Sequence, residues 1–209
     1  NKVSGPVMKP RCAFLERVLS PRVVIFPNGM LRMYFCVGAM PQQTRFRKAL
    51  RRLTKTYGIM GGIRSAVSNN GRDWRWEPGK RVFPNHESGE IWAVSPDVVR
   101  LNDGGYRMYY QSRSLGECDV VRSAYSADGL RWQIEKGVRF GHRLANYGSP
   151  KCIPLESGGD RLYFHEYPAP FKAGLTAGNN IISATSQDGL MFSRESGVRI
   201  SQQFTNESY

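Results

Sequence analysis

Residues 95–140 spell out a complete four-stranded antiparallel unit, and altered copies of it stand on either side. Ser95-Pro-Asp-Val-Val leads through an Asp103-Gly-Gly turn into Tyr106-Arg-Met-Tyr-Tyr110. After a longer loop, Arg122-Ser-Ala-Tyr-Ser126 and an Ala127-Asp-Gly turn bring the chain to a last strand near Trp132. The first copy opens at Ser20-Pro-Arg-Val-Val24, turns at Asn28-Gly29, and resumes at Gly62 to run through Asn70-Gly71 and Trp74 to Phe83. The third opens at Ser149-Pro150, turns at Ser157-Gly-Gly159, and passes Asp188-Gly189 and Phe192 on its way to Ile200. Asn-Gly and Asp-Gly are strong turn signals because the chain there needs positive φ.

Subtraction confirms the alignment. Ser68, Ser126 and Ser186 are 58 and 60 residues apart, and Trp74, Trp132 and Phe192 keep the same offsets. Pro21, Pro96 and Pro150 are 75 and 54 apart, the excess in the first copy falling on an insertion. Repeated units with a fixed internal order predict an all-β chain, a β-propeller of four-stranded antiparallel blades. About three blades are expected, over 20–83, 95–140 and 149–200. A sandwich of hairpins is the rival, but it has no need for an aromatic at one place in every unit.

In an up-down blade the first and third turns share one face. The second loops and the linkers between blades share the other, which therefore holds 36–62, 84–95, 111–119, 141–149 and 165–180. Variable loops on a rigid scaffold are where function concentrates. Asp128 and Asp188, with Ser126 and Ser186, occupy a repeated turn position and are expected to bond nearby backbone. The functional candidates lie on the opposite face or at strand openings: Asp97, Glu87, Glu90 and Glu166 as carboxylates, with Trp92, Arg113, His165 and Tyr147 as substrate contacts.

The insertion, 41–58, carries Arg45, Arg47, Lys48, Arg51, Arg52 and Lys55 and no acidic residue. Phe46, Leu50 and Leu53 fall at i, i+4 and i+7, which predicts a short basic amphipathic helix. With a net charge of +13, these residues are candidates for an anionic partner: an acidic protein, nucleic acid or a charged surface.

Other features exclude more than they assign. No apolar run is long enough to span a bilayer. The 4 cysteines show no C-x-x-C pair or zinc spacing, and the 3 histidines are scattered, so neither a metal site nor a cofactor is expected. Free cysteines in a chain with ample core point weakly to an intracellular or organellar setting. The chain begins at Asn1, with no charged-then-apolar leader at its front.

The strand opening x-Pro-x-Val-Val, the returning Gly105-Tyr-Arg-Met-Tyr-Tyr110 and the Ser-x-Asp-Gly-x-x-Trp132 turn together resemble the five-bladed propeller glycosidases, the arabinanase, levansucrase and invertase superfamily of glycoside hydrolase families 43, 32 and 68. The resemblance covers about residues 20–200. The turn is also similar to the sialidase Asp-box, but no arginine triad accompanies it. The superfamily resemblance implies carbohydrate as ligand and catalysis by paired carboxylates at a funnel mouth. Ile91-Trp-Ala-Val-Ser-Pro-Asp97 is similar to the family's Trp-Ala-Pro-Asp and maps its second Asp onto Asp97. Ser20 stands where the base would be. Tyr147-Gly-Ser-Pro150 replaces the Glu-Gly-Pro that would carry the acid, leaving Ser149. A serine hydroxyl supplies neither role at neutral pH. The resemblance therefore implies a glycosidase-like propeller with a degraded site and a binding or assembly role. The alternative is an active hydrolase or phosphorylase using Asp97 with Glu90 or Glu166. Five blades of roughly 60 residues need roughly 300, so the chain is expected to belong to a longer one or to be completed by a partner.

Overall fold

The computed structural model describes residues 17–38, 61–85, 87, 89–114, 116–168 and 179–201. The predicted basic helix, with Arg45, Arg47, Lys48, Arg51, Arg52 and Lys55, lies outside the described residues.

Three antiparallel sheets follow one another along the chain. The first contains β1 (Arg17–Ile25), β2 (Leu31–Gly38), β3 (Gly62–Ser68) and β4 (Arg75–Trp76). The second contains β5 (Glu90–Arg100), β6 (Tyr106–Ser114), β7 (Val120–Ser126) and β8 (Gln133–Ile134). The third contains β9 (Ala145–Pro154), β10 (Asp160–Pro168), β11 (Asn180–Ser186) and β12 (Ser193–Arg194), with β13 (Ile200–Ser201) also on β11. Each sheet runs in sequence order from its first strand outward. The sheets pack face to face, as blades do: the protein is an all-β propeller. Among the described residues no helix is long and apolar enough to cross a membrane.

The strand openings share one irregularity. Pairing register breaks between Leu19 and Arg22 in β1, between Val94 and Asp97 in β5, and opposite the Tyr163–His165 step in β9. Each break holds a serine in the left-handed region directly before the proline: Ser20, Ser95 and Ser149, with φ of 52°, 53° and 53°. Proline has no N–H for the ladder, so a bulge is where a strand tolerates it. A serine held there costs about 1–3 kcal/mol, and it re-aims the inner strand at the same point in every blade.

Packing is repeated as well. One apolar cluster fills the space between the first two sheets, with Phe26, Tyr34, Val98 and Met108. A second lies between the second and third, with Val99, Tyr109, Leu162 and Ile182. A third, around Phe35, is covered from within its own sheet by Trp74, Trp76 and Phe83.

Polar clamps lock the strands of each sheet. Glu77 accepts from Arg32 at 2.8 and 3.0 Å and from Ser65 at 2.6 Å. Glu135 takes Arg107 at 3.1 Å and Ser123 at 2.5 Å, and Glu195 takes Arg161 at 3.0 Å and Ser183 at 2.6 Å. Glu77 is buried, and a carboxylate there is tolerated because it is paired and hydrogen-bonded; Glu135 and Glu195 are partly exposed.

The Ser-Asx-Gly turns are structural, as their repetition implies. Asp128 Oδ1 accepts the N–H groups of Leu130 and Arg131, both at 2.8 Å, while Ser126 Oγ takes Gly129 N–H. Asp188 with Ser186, and Asn70 with Ser68, repeat the pattern. The N–H groups of Met191 and Leu190 pull the Asp188 carboxyl down to about 2.

Candidate functional site

At the ends of β6 and β10 away from these turns, the second and third blades enclose a cleft of about 340 Å³. Trp92, Gln111, Arg113, Asp119, His165, Tyr167 and Asn179 line it. Gln111 and Arg113 alternate along β6, as do His165 and Tyr167 along β10, so each pair projects from one face of its strand. Trp92 opens β5 opposite Arg113, and the guanidinium lies 4.6 Å from the indole centre.

Asp119 is the pivot. It is 1% exposed and stands directly before β7. Its Oδ2 accepts from Arg113 at 2.8 Å and from the Tyr167 hydroxyl. Its N–H goes to Asn146 Oδ1 at 2.9 Å, which also takes Arg113 at 2.8 Å. Burial and the bond to Asp119 push the Tyr167 phenol far above its ordinary range, so it remains a donor at every physiological pH. Asp119 Oδ1, Arg113 Nε and Trp92 Nε1 are buried without a hydrogen-bond partner among the described residues. These atoms sit beneath the cleft wall rather than on it, so the groups that the cleft presents are the indole and guanidinium of Trp92 and Arg113 and the side chains of Gln111, His165, Tyr167 and Asn179.

Of the residues expected at the site, Trp92, Arg113 and His165 are brought together here. Tyr147 is buried against Phe140 and Phe164 instead, and burial followed by Glu166 raises its hydroxyl to about 12. None of the four expected carboxylates lines the cleft. Asp97 is in the hub, 1% exposed, with its Oδ1 2.9 Å from Arg22 Nε and 3.5 Å from Lys151 Nζ, while Oδ2 accepts Cys152 N–H at 2.7 Å. Arg22 and Lys151 occupy the Asp97 position in the neighbouring blades, so one carboxylate ties three inner strands. Glu90 is buried, holds Asn85 N–H at 2.9 Å and faces Arg122 at 3.3 Å. Glu166 is gripped by both terminal nitrogens of Arg194. Glu87 is exposed, its N–H on Asn85 Oδ1.

The residues not foreseen, Asp119, Gln111, Tyr167, Asn146 and Asn179, do carry a sequence signal. Gly61, Asp119 and Asn179 are 58 and 60 apart, the same offsets as the turn serines. Their backbone role is fixed: the carbonyl of Gly61 takes Ala93 N–H at 2.9 Å, and that of Asp119 takes Tyr147 N–H at 3.0 Å. In the first blade a Cβ at position 61 would come within 2.2 Å of Val94, which leaves room only for glycine. Likewise Gly38, Arg113 and Tyr167 are one position, and Cys36, Gln111 and His165 another. The first blade is small where the other two are polar. Among the described residues, no group of three or more His, Cys, Asp or Glu comes together to hold a metal ion.

The sequence matches no protein-family model and no curated protein sequence. Its fold is similar to solved structures. A family 117 glycoside hydrolase of the marine bacterium Zobellia galactanivorans shares 19% identity at a TM-score of 0.67, over 87% of this chain and 56% of that one. An endo-1,4-beta-xylanase of Bacteroides thetaiotaomicron shares 16% at 0.64, over 95% and 63%. Fructan 1-exohydrolase IIa of Cichorium intybus shares 13% at 0.68, over 93% and 34%. The chain thus spans from about a third to under two thirds of the length of these structures. At such identities the likeness establishes a glycosidase-like propeller fold.

Proposed function

We propose that this chain is a carbohydrate-binding propeller on a glycosidase-like frame, with the Trp92–Arg113–Asp119 cleft as its sugar site. The observation that carries this reading is the state of Asp119. It is the only carboxylate among the described residues lining the cleft, and Arg113 and Tyr167 both hold it. Glycoside hydrolysis asks for two carboxyl groups flanking the bond, one of them protonated. A single carboxylate under a guanidinium serves instead as a fixed acceptor. An indole face, a guanidinium and amide side chains around it match the apolar faces and hydroxyls of a sugar ring. The serines at positions 20 and 149, and the two cations on Asp97, support the same reading.

The test is titration calorimetry against a panel of neutral oligosaccharides, run beside hydrolysis assays with aryl glycosides. Binding without turnover is expected, with Trp92→Ala at least tenfold weaker. Turnover that disappears in Asp97→Asn would replace this reading with an active hydrolase built on the hub. Strand β2 ends at Gly38 and β3 begins at Gly62, both at the cleft end of the first sheet, and the basic segment 41–58 falls between them in the sequence. Assembly with an acidic partner through it would weaken steeply with salt.

A further inference from the structure

The first two blades close their outer edges in different ways. In both, the segment after the last strand bridges back to the third: Ile63 pairs with Val82, and Val121 with Phe140. Arg64 and Arg122 are equivalent, and they donate to the equivalent carbonyls of Gly79 and Gly137, at 3.3 and 3.4 Å. With the backbones matched at an offset of 58, Gly62 corresponds to Val120, Lys80 to Val138 and Phe83 to Gly141.

The exchange removes an aromatic ring. In the first blade the Phe83 ring covers Gly62 so closely that an added Cβ there would stand 2.5 Å from it. Two cations flank the ring, Lys80 at 4.8 Å and Arg64 at 5.4 Å from its centre. In the second blade the glycine and the larger residue trade places: a Cβ on Gly141 would meet Val120 at 2.6 Å and Val138 at 3.2 Å. The trade is uneven, because an isopropyl group stands in place of a benzyl group. Here the second blade has a cavity of about 280 Å³. Val120, Val138 and Gly141 form its apolar part, and Arg122 keeps the position from which Arg64 meets the ring.

Polar groups complete the cavity. Cys118 Sγ donates to the Arg143 carbonyl at 3.2 Å and ties two of its walls together. His142 Nδ1 accepts Leu144 N–H at 3.3 Å, so the neutral imidazole carries its proton on Nε2. Arg143 is exposed, and no carboxylate pairs with it among the described residues. Glu117 is the only carboxylate among the described residues lining the cavity, against Arg122, Arg143 and His142. All these walls come from residues 114–143 of the middle blade, and none of them lines the Trp92 cleft.

We propose that this cavity is a second binding site, separate from the Trp92 cleft, and that it takes a planar aromatic carboxylate of the benzoate or hydroxycinnamate class. The ring lies where Phe83 lies in the first blade, against Val120 and Val138 with Arg122 at its side. The carboxylate meets Arg143 and the His142 Nε2–H.

The test is calorimetry of the 209-residue chain with para-hydroxycinnamate and with two probes that each lack one element. Cyclohexanecarboxylate is not planar, and para-hydroxycinnamamide has no charge. One equivalent of para-hydroxycinnamate is expected to bind, and each of the other two at least tenfold more weakly. Val120→Gly with Gly141→Phe rebuilds the pair of the first blade, closes the cavity and is expected to lower affinity at least tenfold, with circular dichroism unchanged. Location is also read on the wild type, by alkylating Cys118 with iodoacetamide and mapping the peptides by mass. Cys36 and Cys152 are buried, and saturating para-hydroxycinnamate is expected to slow the Cys118 reaction at least fivefold. This measurement decides the matter even where the double variant does not fold. A wild type that binds no probe overturns the proposal. So does equal binding of all three, alkylation of Cys118 that the ligand leaves unchanged, or a folded double variant that binds like wild type.

Discussion

The two ends of β6 do opposite jobs with the same geometry. Arg107, Tyr109, Gln111 and Arg113 alternate along one face of the strand. The first pair closes on the next blade's turn, and its equivalents in the other blades are again arginine and tyrosine. The second pair opens into the cleft, and its equivalents are Cys36 and Gly38 in one blade, His165 and Tyr167 in the other. Where the side chain's work is to join blades, as in the first and second, the same residue recurs because it meets the same backbone turn. Where it faces a cleft between two particular blades, nothing forces agreement. Uniformity across the repeat therefore marks the frame, and departure from it marks the candidate site.

The sharpest way to break this contrast is at the uniform end. Tyr109 is fully buried on Phe192, so Tyr109→Ala is expected to lose about 3–5 kcal/mol in urea unfolding. A loss no larger than that of Arg113→Ala would erase the distinction. Asp97→Asn comes next, at about 1–2 kcal/mol. Its cations are 39% and 54% exposed and regain water, and the amide oxygen still accepts Cys152 N–H. Sugar affinity is expected to stay unchanged in this variant, since Asp97 does not line the cleft. Asp119→Asn should behave in the converse way, with affinity at least tenfold lower, about 1.4 kcal/mol, read by calorimetry on a protein that still unfolds cooperatively.

Smaller effects refine the comparison. Tyr34→Phe removes one buried bond to Gly129 and is expected to cost about 1 kcal/mol. The least change at neutral pH is expected for Asp188→Asn, within about 0.5 kcal/mol, because Asn70 already fills that place in the first blade. Acid titration separates the two residues. The folded carboxyl sits at about 2, below the ordinary value of about 3.9. Its contribution is therefore present above about pH 4 and is lost as pH falls towards about 2. The acid limb of the wild type should be steeper than that of Asp188→Asn in this window.

The sequence determined the frame of this protein by itself. Every feature that makes a blade is local, or recurs at a fixed spacing: the Ser-Pro bulge, the Asx-Gly turn, and the aromatic four residues after the turn Asx. The clamp residues Arg32, Arg107 and Arg161, with Glu77, Glu135 and Glu195, recur just as regularly and were equally open to subtraction. Trp92, Arg113 and His165 were recognisable as belonging to the loop side because strand direction alone puts them there. What only the tertiary structure decided was the fate of the charges. Asp97 is a carboxylate at a strand opening in the sequence, and the neighbouring blades deliver Arg22 and Lys151 to it. Asp119 looks like an ordinary loop residue until Arg113 of its own blade and Tyr167 of the next close on it. A carboxylate's chemistry depends on what stands within a few ångströms of it. Three of these four neighbours, Arg22, Lys151 and Tyr167, come from other blades, about 50–75 residues away along the chain.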